Sequence, residues 1–467
     1  MTDLSGLAAA CAGRLIATAA DMAPFLTDWR GLWRGRALAV AMPGTAGEVA
    51  ACVRWCAAHR VPIVPQGGNT GLSGGATPDA SGGAIVLSLK RLNRIRGVDA
   101  TNATLTADAG CVLAQVQAAA SAAGLLFPLS LAAEGSCTIG GNLATNAGGT
   151  GVLRYGNARA LCLGLEAVTA DGTLWNGLRG LRKDNSGYGV RDLLIGSEGT
   201  LGIITGAVLR LFPRPVARCC ALAALATPQQ ALAALHAARG ALGELLGTAE
   251  LFSDTCLDLV QANRPTLRPP FAAGHAWYLL LEAASCTDRL PLHAAMESLL
   301  EDLAARDIIA DAILAQSDAQ AQAIWALREG ISEAQAAAGP TIKHDIALPL
   351  SAIAAFLAEA GEAITARWPG LRFVTFGHLG DGNIHYNFSP AAGGDAPAFM
   401  AIQPALNALV HDLAHRHGGS ISAEHGLGQL RHAEALRYRP EIETSLMRAL
   451  KKAMDPQGIL NPGKVMP

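Results

Sequence analysis

Charge is scarce in this chain: 16% of its 467 residues are Asp, Glu, Lys or Arg against 51% hydrophobic, and the formal net charge is −2. A chain this apolar and this long forms two or three domains with large cores and is not disordered. Lys and Arg are scattered without a basic run, which excludes the electrostatic footprint of a nucleic-acid binder. Long hydrophobic runs are missing too. No uninterrupted apolar stretch reaches the roughly 18 residues of a spanning helix, and the N-terminus Met-Thr-Asp-Leu-Ser-Gly lacks the basic start of a signal peptide. Cytoplasmic residence is the expectation. Cysteine is dilute, ten residues mostly in apolar contexts, and no CxxC spacing occurs. These read as buried thiols in a reducing compartment without an iron–sulfur cluster; only the pairs Cys52/Cys56 and Cys219/Cys220 are candidates for more.

Glycine, by contrast, is abundant, and much of it falls in the first half of the chain. A helix over about 45–59 and a short strand over 61–65 lead into the loop Gln66-Gly-Gly-Asn-Thr-Gly-Leu-Ser-Gly-Gly75. Further strands are read at 84–88 and 103–110, ahead of a helix through about Ala123. The loop exposes many backbone N–H groups with little side-chain obstruction, which is what a diphosphate needs for close approach. A second segment of this kind runs from Glu134 to Gly149. Tight turns at strand corners would account for one such loop but not easily both; together, with their Ser, Thr and Asn donors, they suit an extended dinucleotide. Neither matches G-x-G-x-x-G or G-x-x-x-x-G-K-[ST], which disfavours a Rossmann site and a P-loop. Near Phe212-Pro-Arg-Pro215 the texture changes. Alanine-rich amphipathic helices, for example over 229–240 and 290–306, then alternate with strands over 277–282 and 342–348. This pattern predicts an antiparallel sheet covered by helices on one face. The expected division is a first domain over 1–215, a second over 216–420, and a C-terminal segment, 421–467, that packs back on the first.

The densest chemistry lies in Phe376-Gly-His378-Leu-Gly-Asp-Gly-Asn-Ile-His385-Tyr-Asn387 and in Ser422-Ala-Glu424-His425-Gly. A hairpin turning at Gly-Asp-Gly would bring both imidazoles to one edge of a sheet. With Glu424 they form a two-His, one-carboxylate set that leaves coordination positions open, unlike a closed structural zinc site. Zinc suits these ligands, with manganese, cobalt or iron as alternatives. Lone histidines are more often satisfied core or surface groups, and His344, His411, His415, His417 and His432 are read that way. The segment Trp325–Ser332 is read as helical, with Arg328 and Ser332 four residues apart on one face and Lys343 entering the next strand. Arg328 is then either an ordinary helix-surface arginine or a carboxylate ligand. Lys183, Asn185 and Arg191 either line a cofactor edge or brace the loop at Gly196-Ser-Glu-Gly199.

Several motifs occur in one order: Pro65-Gln-Gly-Gly-Asn-Thr-Gly71, Gly135-Ser-Cys-Thr-Ile-Gly-Gly-Asn142, Gly196-Ser-Glu-Gly-Thr-Leu-Gly202-Ile-Ile-Thr205 and Asn461-Pro-Gly-Lys464. Over nearly its whole length the chain thereby resembles the FAD-linked oxidase family with the vanillyl-alcohol-oxidase-type fold. Its histidine segment and Gly419–Gly428 resemble the D-2-hydroxy-acid dehydrogenase branch, with Ser-Ala-Glu-His closest to the D-2-hydroxyglutarate dehydrogenases. The resemblance implies an α+β protein: a two-subdomain FAD-binding domain plus a cap with an antiparallel sheet covered by helices. It implies FAD contacts from Pro65, Gly67, Gly68, Asn69, Thr70, Gly71, Gly74 and Gly75 in the first loop. The second loop would add Gly135, Ser136, Gly140, Gly141, Asn142, Thr145 and Asn146, and the later motifs Glu198, Gly199, Gly202, Ile203, Ile204 and Asn461. Because the first loop holds no His or Cys, the flavin would be non-covalent. His378, His385 and Glu424 would bind the metal and His425 would be the base. Arg328, Ser332 (where threonine is common in the family), Lys343, Asn387 and His425 would bind substrate. The implied reaction is oxidation of D-2-hydroxyglutarate, with D-malate as a second substrate and D-lactate or glycolate as the alternative. Electrons would pass to an external acceptor such as an electron-transfer flavoprotein or a quinone, and the protein would be a homodimer. Rival classes are a metal-dependent hydrolase and a non-catalytic flavin-binding subunit.

Overall fold

The computed structural model describes residues 3–466. The chain divides into two compact units, one of residues 1–148, 156–214 and 424–467, the other of 149–155 and 215–423. Residues 149–155, read from sequence with the first domain, therefore group with the second.

In the first unit, three parallel strands (Ala39–Ala41, Ile85–Ser88 and Ile63–Gln66, in that spatial order) carry the short antiparallel strand Leu15–Ile16 at one edge. The first two parallel strands are buried at every position, as expected for a sheet covered on both faces. The helix Ala46–His59 makes the crossover between Ala39–Ala41 and Ile63–Gln66. Thr45 caps its start by accepting from the Glu48 N–H at 3.1 Å. The helix buries Val49, Cys52, Val53 and Cys56, the i, i+3, i+4, i+7 stripe of an amphipathic helix. The strand Ile63–Gln66 then runs directly into the first glycine loop, the end of a parallel sheet where α/β proteins place ligands. A second, five-stranded antiparallel sheet has the order Ile95–Asp99, Thr104–Asp108, Ile203–Arg210, Cys162–Val168, Leu174–Gly177.

The second unit is built on seven antiparallel strands in the order Asp311–Leu314, Ala217–Leu225, Trp277–Ser285, Leu246–Ser253, Arg372–His378, Asn383–Ser389, Asp345–Ala347. Its sheet is covered on both faces, not on one as the sequence suggested. Ala221, Ala223 and Leu225 pack into one core with the long helices Pro228–Leu242, Leu292–Ala305 and Ile353–Arg367. Leu222 and Ala224 pack into the other, with Asp254–Asn263, Asp318–Glu329 and Ile331–Ala337. The continuous apolar run Cys219–Leu225 within this strand is the sequence counterpart of a strand buried on both sides. The same alternation separates Cys219 from Cys220, which enter opposite cores and so cannot pair with each other. Nine of the ten cysteines are buried. Burial pushes the Cys56 thiol up to about 12 and that of Cys219 to about 11, so neither is poised as a nucleophile. No helix among the described residues is long and apolar enough to cross a membrane.

Candidate functional site

The glycine loops of the first unit converge on one pocket. Of the residues expected to hold the cofactor, Pro65, Gly67, Gly68, Asn69, Thr70, Gly71, Gly75, Gly140, Gly141, Asn142, Thr145, Glu198, Gly199, Gly202, Ile203 and Ile204 line it. The missing Cβ atoms explain the fit of loop on loop. A Cβ at Gly67 would lie 2.3 Å from Thr138 Oγ1, and one at Gly68 would lie 2.2 Å from the Ser136 carbonyl oxygen. The remaining predicted positions stand behind this wall. Gly74, at φ +69°, rests on Trp33; the Ser136 hydroxyl donates to the Ala133 carbonyl, and Asn146 accepts from the Arg159 N–H at 3.0 Å. Gly135 has no neighbour where its Cβ would be. Asn461 is buried and braces the pocket, its amide donating to the Gly75 and Glu198 carbonyls at 2.9 and 2.7 Å.

Glu198 locks the same wall from the other side. Its carboxylate accepts the Leu427 and Gly428 N–H groups at 2.7 and 3.0 Å, and the Ser73 hydroxyl donates to the carbonyls of His425 and Gly426. Burial raises the Glu198 pKa against the pull of those two N–H donors and of Lys464. Lys464 is itself buried, which lowers it to about 8 although Asp79 and Glu198 oppose the shift. His425 thereby becomes part of the pocket lining. Gln66 and Thr138 also line the pocket, and Gln66 Oε1 and Thr138 Oγ1 are buried acceptors without a protein partner. Gln66 Oε1 can only accept and suits a ligand hydroxyl or N–H, while the Thr138 hydroxyl and the Cβ-free backbone can face phosphate oxygens, a combination that fits an extended dinucleotide such as FAD. Neither residue was among the expected contacts; Gln66 sits inside the quoted motif and Thr138 beside the glycines, so adjacency was the available signal. Arg191 reaches the Leu163 carbonyl at 2.8 Å and braces the chain, while Lys183 and Asn185 are exposed.

In the second unit, the strands Arg372–His378 and Asn383–Ser389 form the expected hairpin, with Phe376 opposite His385 and His378 opposite Asn383. The two imidazoles share one face, their ring centroids 5.7 Å apart. They do not stand at a sheet edge: Leu246–Ser253 pairs outside the first strand and Asp345–Ala347 outside the second. Those flanking strands supply two acids that sequence reasoning missed. Glu250, opposite His378, accepts from His378 Nδ1 at 2.6 Å through Oε1 and from Arg328 Nη2 and Nε at 2.7 and 2.8 Å through Oε2. Burial works against the charge on Glu250, but His378 and Arg328 hold its carboxyl below the usual range. Asp345, opposite His385, lies 3.6 Å from His385 Nδ1 and accepts from the Asn383 amide at 2.8 Å. The signal for both was a single charged residue in its strand.

Arg328 is buried with its guanidinium 4.8 Å from the centroid of the Phe376 ring, so it is not a helix-surface arginine. The expected helical pairing with Ser332 is not found. The helix ends at Glu329, Gly330 separates it from Ile331–Ala337, and Ser332 is exposed. Lys343 is half-buried, two residues before the strand Asp345–Ala347. The Asn387 side chain bridges Gln335 and the His344 N–H, both at 3.0 Å. Glu424 belongs to the first unit with His425, its Oε1 3.7 Å from His425 Nε2.

Residues 37–177 match the family described as FAD binding domain, and residues 214–465 the family described as FAD linked oxidases, C-terminal domain. The chain belongs to the FAD-linked oxidase family. It is 42% identical over its whole length to a D-2-hydroxyglutarate dehydrogenase of Xanthomonas citri pv. viticola, 97% of which is covered. It is 36% identical, over 95% of its length and 85% of the relative, to a mitochondrial protein of Schizosaccharomyces pombe provisionally named a D-lactate dehydrogenase. The fold is that of the vanillyl-alcohol-oxidase-type flavoproteins: p-cresol methylhydroxylase with substrate bound superposes with a TM-score of 0.77 at 15% identity, covering 99% of this chain and 96% of that one. As a member of this FAD-linked oxidase family, the protein is an FAD-dependent oxidoreductase.

Proposed function

We propose that the protein oxidises D-2-hydroxyglutarate, and D-malate as a second substrate, to the 2-keto acid. The observation that carries this reading is Arg328, a buried guanidinium held through Glu250 beside His378, where it can take a carboxylate bidentately. Lys343 is the second cation for a diacid. His425, in the lining of the FAD cradle, takes the hydroxyl proton on an imidazole nitrogen. Bound FAD supplies the hydride acceptor. A divalent cation held by His378, His385 and Glu424 supplies the Lewis acidity that makes the hydroxyl easier to deprotonate. Two imidazoles and a carboxylate suit zinc, with manganese, cobalt and iron as alternatives. The same proposal places the protein in the cytoplasm as a homodimer, passing electrons to an electron-transfer flavoprotein or a quinone.

The Arg328–Glu250 ion pair also favours a second reading. If Glu250 wholly satisfies Arg328, the site takes a monoacid such as D-lactate or glycolate, as the name of the yeast relative suggests. Steady-state kinetics of Arg328→Ala with a dye acceptor, at saturating divalent metal, separate the two. Loss of a charge-assisted carboxylate contact raises KM for D-2-hydroxyglutarate by about 10- to 100-fold and leaves D-lactate turnover unchanged. Equal effects on both acids would support the monoacid site.

A further inference from the structure

Glu250 touches neither substrate nor metal in the reaction as proposed above, yet it is among the most completely buried charged side chains of the second unit. One carboxylate oxygen receives His378 Nδ1 at 2.6 Å and the other receives two nitrogens of Arg328. The strand pairing that sets Glu250 opposite His378 fixes the first contact, and Arg328, laid over Phe376, fixes the second. An ionised carboxylate only accepts hydrogen bonds. It therefore dictates that His378 carries its proton on Nδ1 and coordinates through Nε2.

We infer that Glu250 is a positioning residue that couples two functions of the site: it sets the tautomer of the metal ligand His378 and, through the same carboxylate, the orientation of the substrate-binding Arg328. The inference rests on the metal-dependent dehydrogenase reading and deepens it. Since the two partners share one carboxylate, disturbing either is felt by the other. Removing Arg328 releases Oε2, lets the carboxylate turn, and loosens its hold on His378. Metal affinity should thus depend on Arg328, although Arg328 is not a ligand.

The test uses the FAD-loaded protein and reads metal affinity by competition of Zn2+ or Mn2+ against a chromophoric chelator. In Glu250→Gln the amide oxygen can still face Arg328, but the NH2 then faces His378 Nδ1 and forces the opposite tautomer. Metal affinity falls roughly 10- to 100-fold, the size of a lost partner behind a metal ligand, while FAD content stays at wild-type level. Arg328→Ala weakens metal binding several-fold in the wild-type background and not at all in Glu250→Gln, the signature of an effect transmitted by Glu250. Unchanged affinity in Glu250→Gln, or an Arg328→Ala effect that persists without Glu250, overturns the inference. If Glu250→Gln does not fold, 15N NMR of histidine-labelled wild type decides. The His378 signal, assigned by its loss in His378→Asn, should report a proton on Nδ1 in the metal-free protein; a proton on Nε2 overturns the inference. A wild-type protein that binds neither cation would instead sink the underlying metal-dependent reading.

Discussion

Glu198 carries more of the glycine-loop pocket than its place in a short Gly-Ser-Glu-Gly motif suggests. Its carboxylate satisfies two buried backbone N–H groups of the segment that bears His425. Glu198→Ala leaves both donors without a protein partner, at a cost of about 1–3 kcal/mol each, and should release FAD at lower chaotrope concentration than wild type. Flavin fluorescence during the titration measures it. Lys464, in the same region, gives a pH dependence. Its folded pKa of about 8 lies below the ordinary 10.5, so between those values the unfolded chain binds more protons than the folded one. Stability of the wild type relative to Lys464→Met therefore rises as the pH is raised from about 8 towards 10, which urea unfolding at pH 7.5, 8.5 and 9.5 would show; parallel values would contradict it. At this scale the glycines, His378 and His385 were legible because motif and spacing mark them. Glu250 and Asp345 were not, since a lone acid in a strand reads as easily as a solvated edge position as a buried partner.

Elements were legible where their own periodicity decides them, as in Ala46–His59 with its Thr45 cap. The helix over Trp325–Ser332 was misread because a single glycine inside a helical pattern does not announce a break, yet Gly330 is the junction between Asp318–Glu329 and Ile331–Ala337. The hairpin was foreseen from its Gly-Asp-Gly turn, but strand order is a long-range property, so its interior position was not. Gly377 shows how tightly the hairpin is made: a Cβ there would lie 2.2 Å from the Asn383 carbonyl oxygen. Gly377→Ala should spread the two strands, misalign His378 and His385, and abolish tight metal binding without loss of FAD, as metal analysis and the flavin absorbance of the purified variant would show. Loss of flavin together with metal would contradict that separation.

For the whole molecule, the separation of tasks between the two units follows from texture: a glycine-rich half makes the cradle and an alanine-rich half makes a helix-covered sheet. Every residue lining the glycine-loop pocket comes from the first unit, and the Arg328–Glu250–His378 cluster from the second. Both faces of the second sheet are cores, which the unbroken apolar run Cys219–Leu225 implied and the sequence reading passed over. The central claim, that the bound flavin is reduced by a D-2-hydroxy diacid with the help of a metal, is tested most directly by anaerobic stopped-flow absorbance of the purified protein mixed with D-2-hydroxyglutarate, before and after chelation. The account predicts rapid bleaching of the flavin band that chelator suppresses and added metal restores; a flavin that D-2-hydroxyglutarate leaves oxidised in the metal-loaded protein would contradict it.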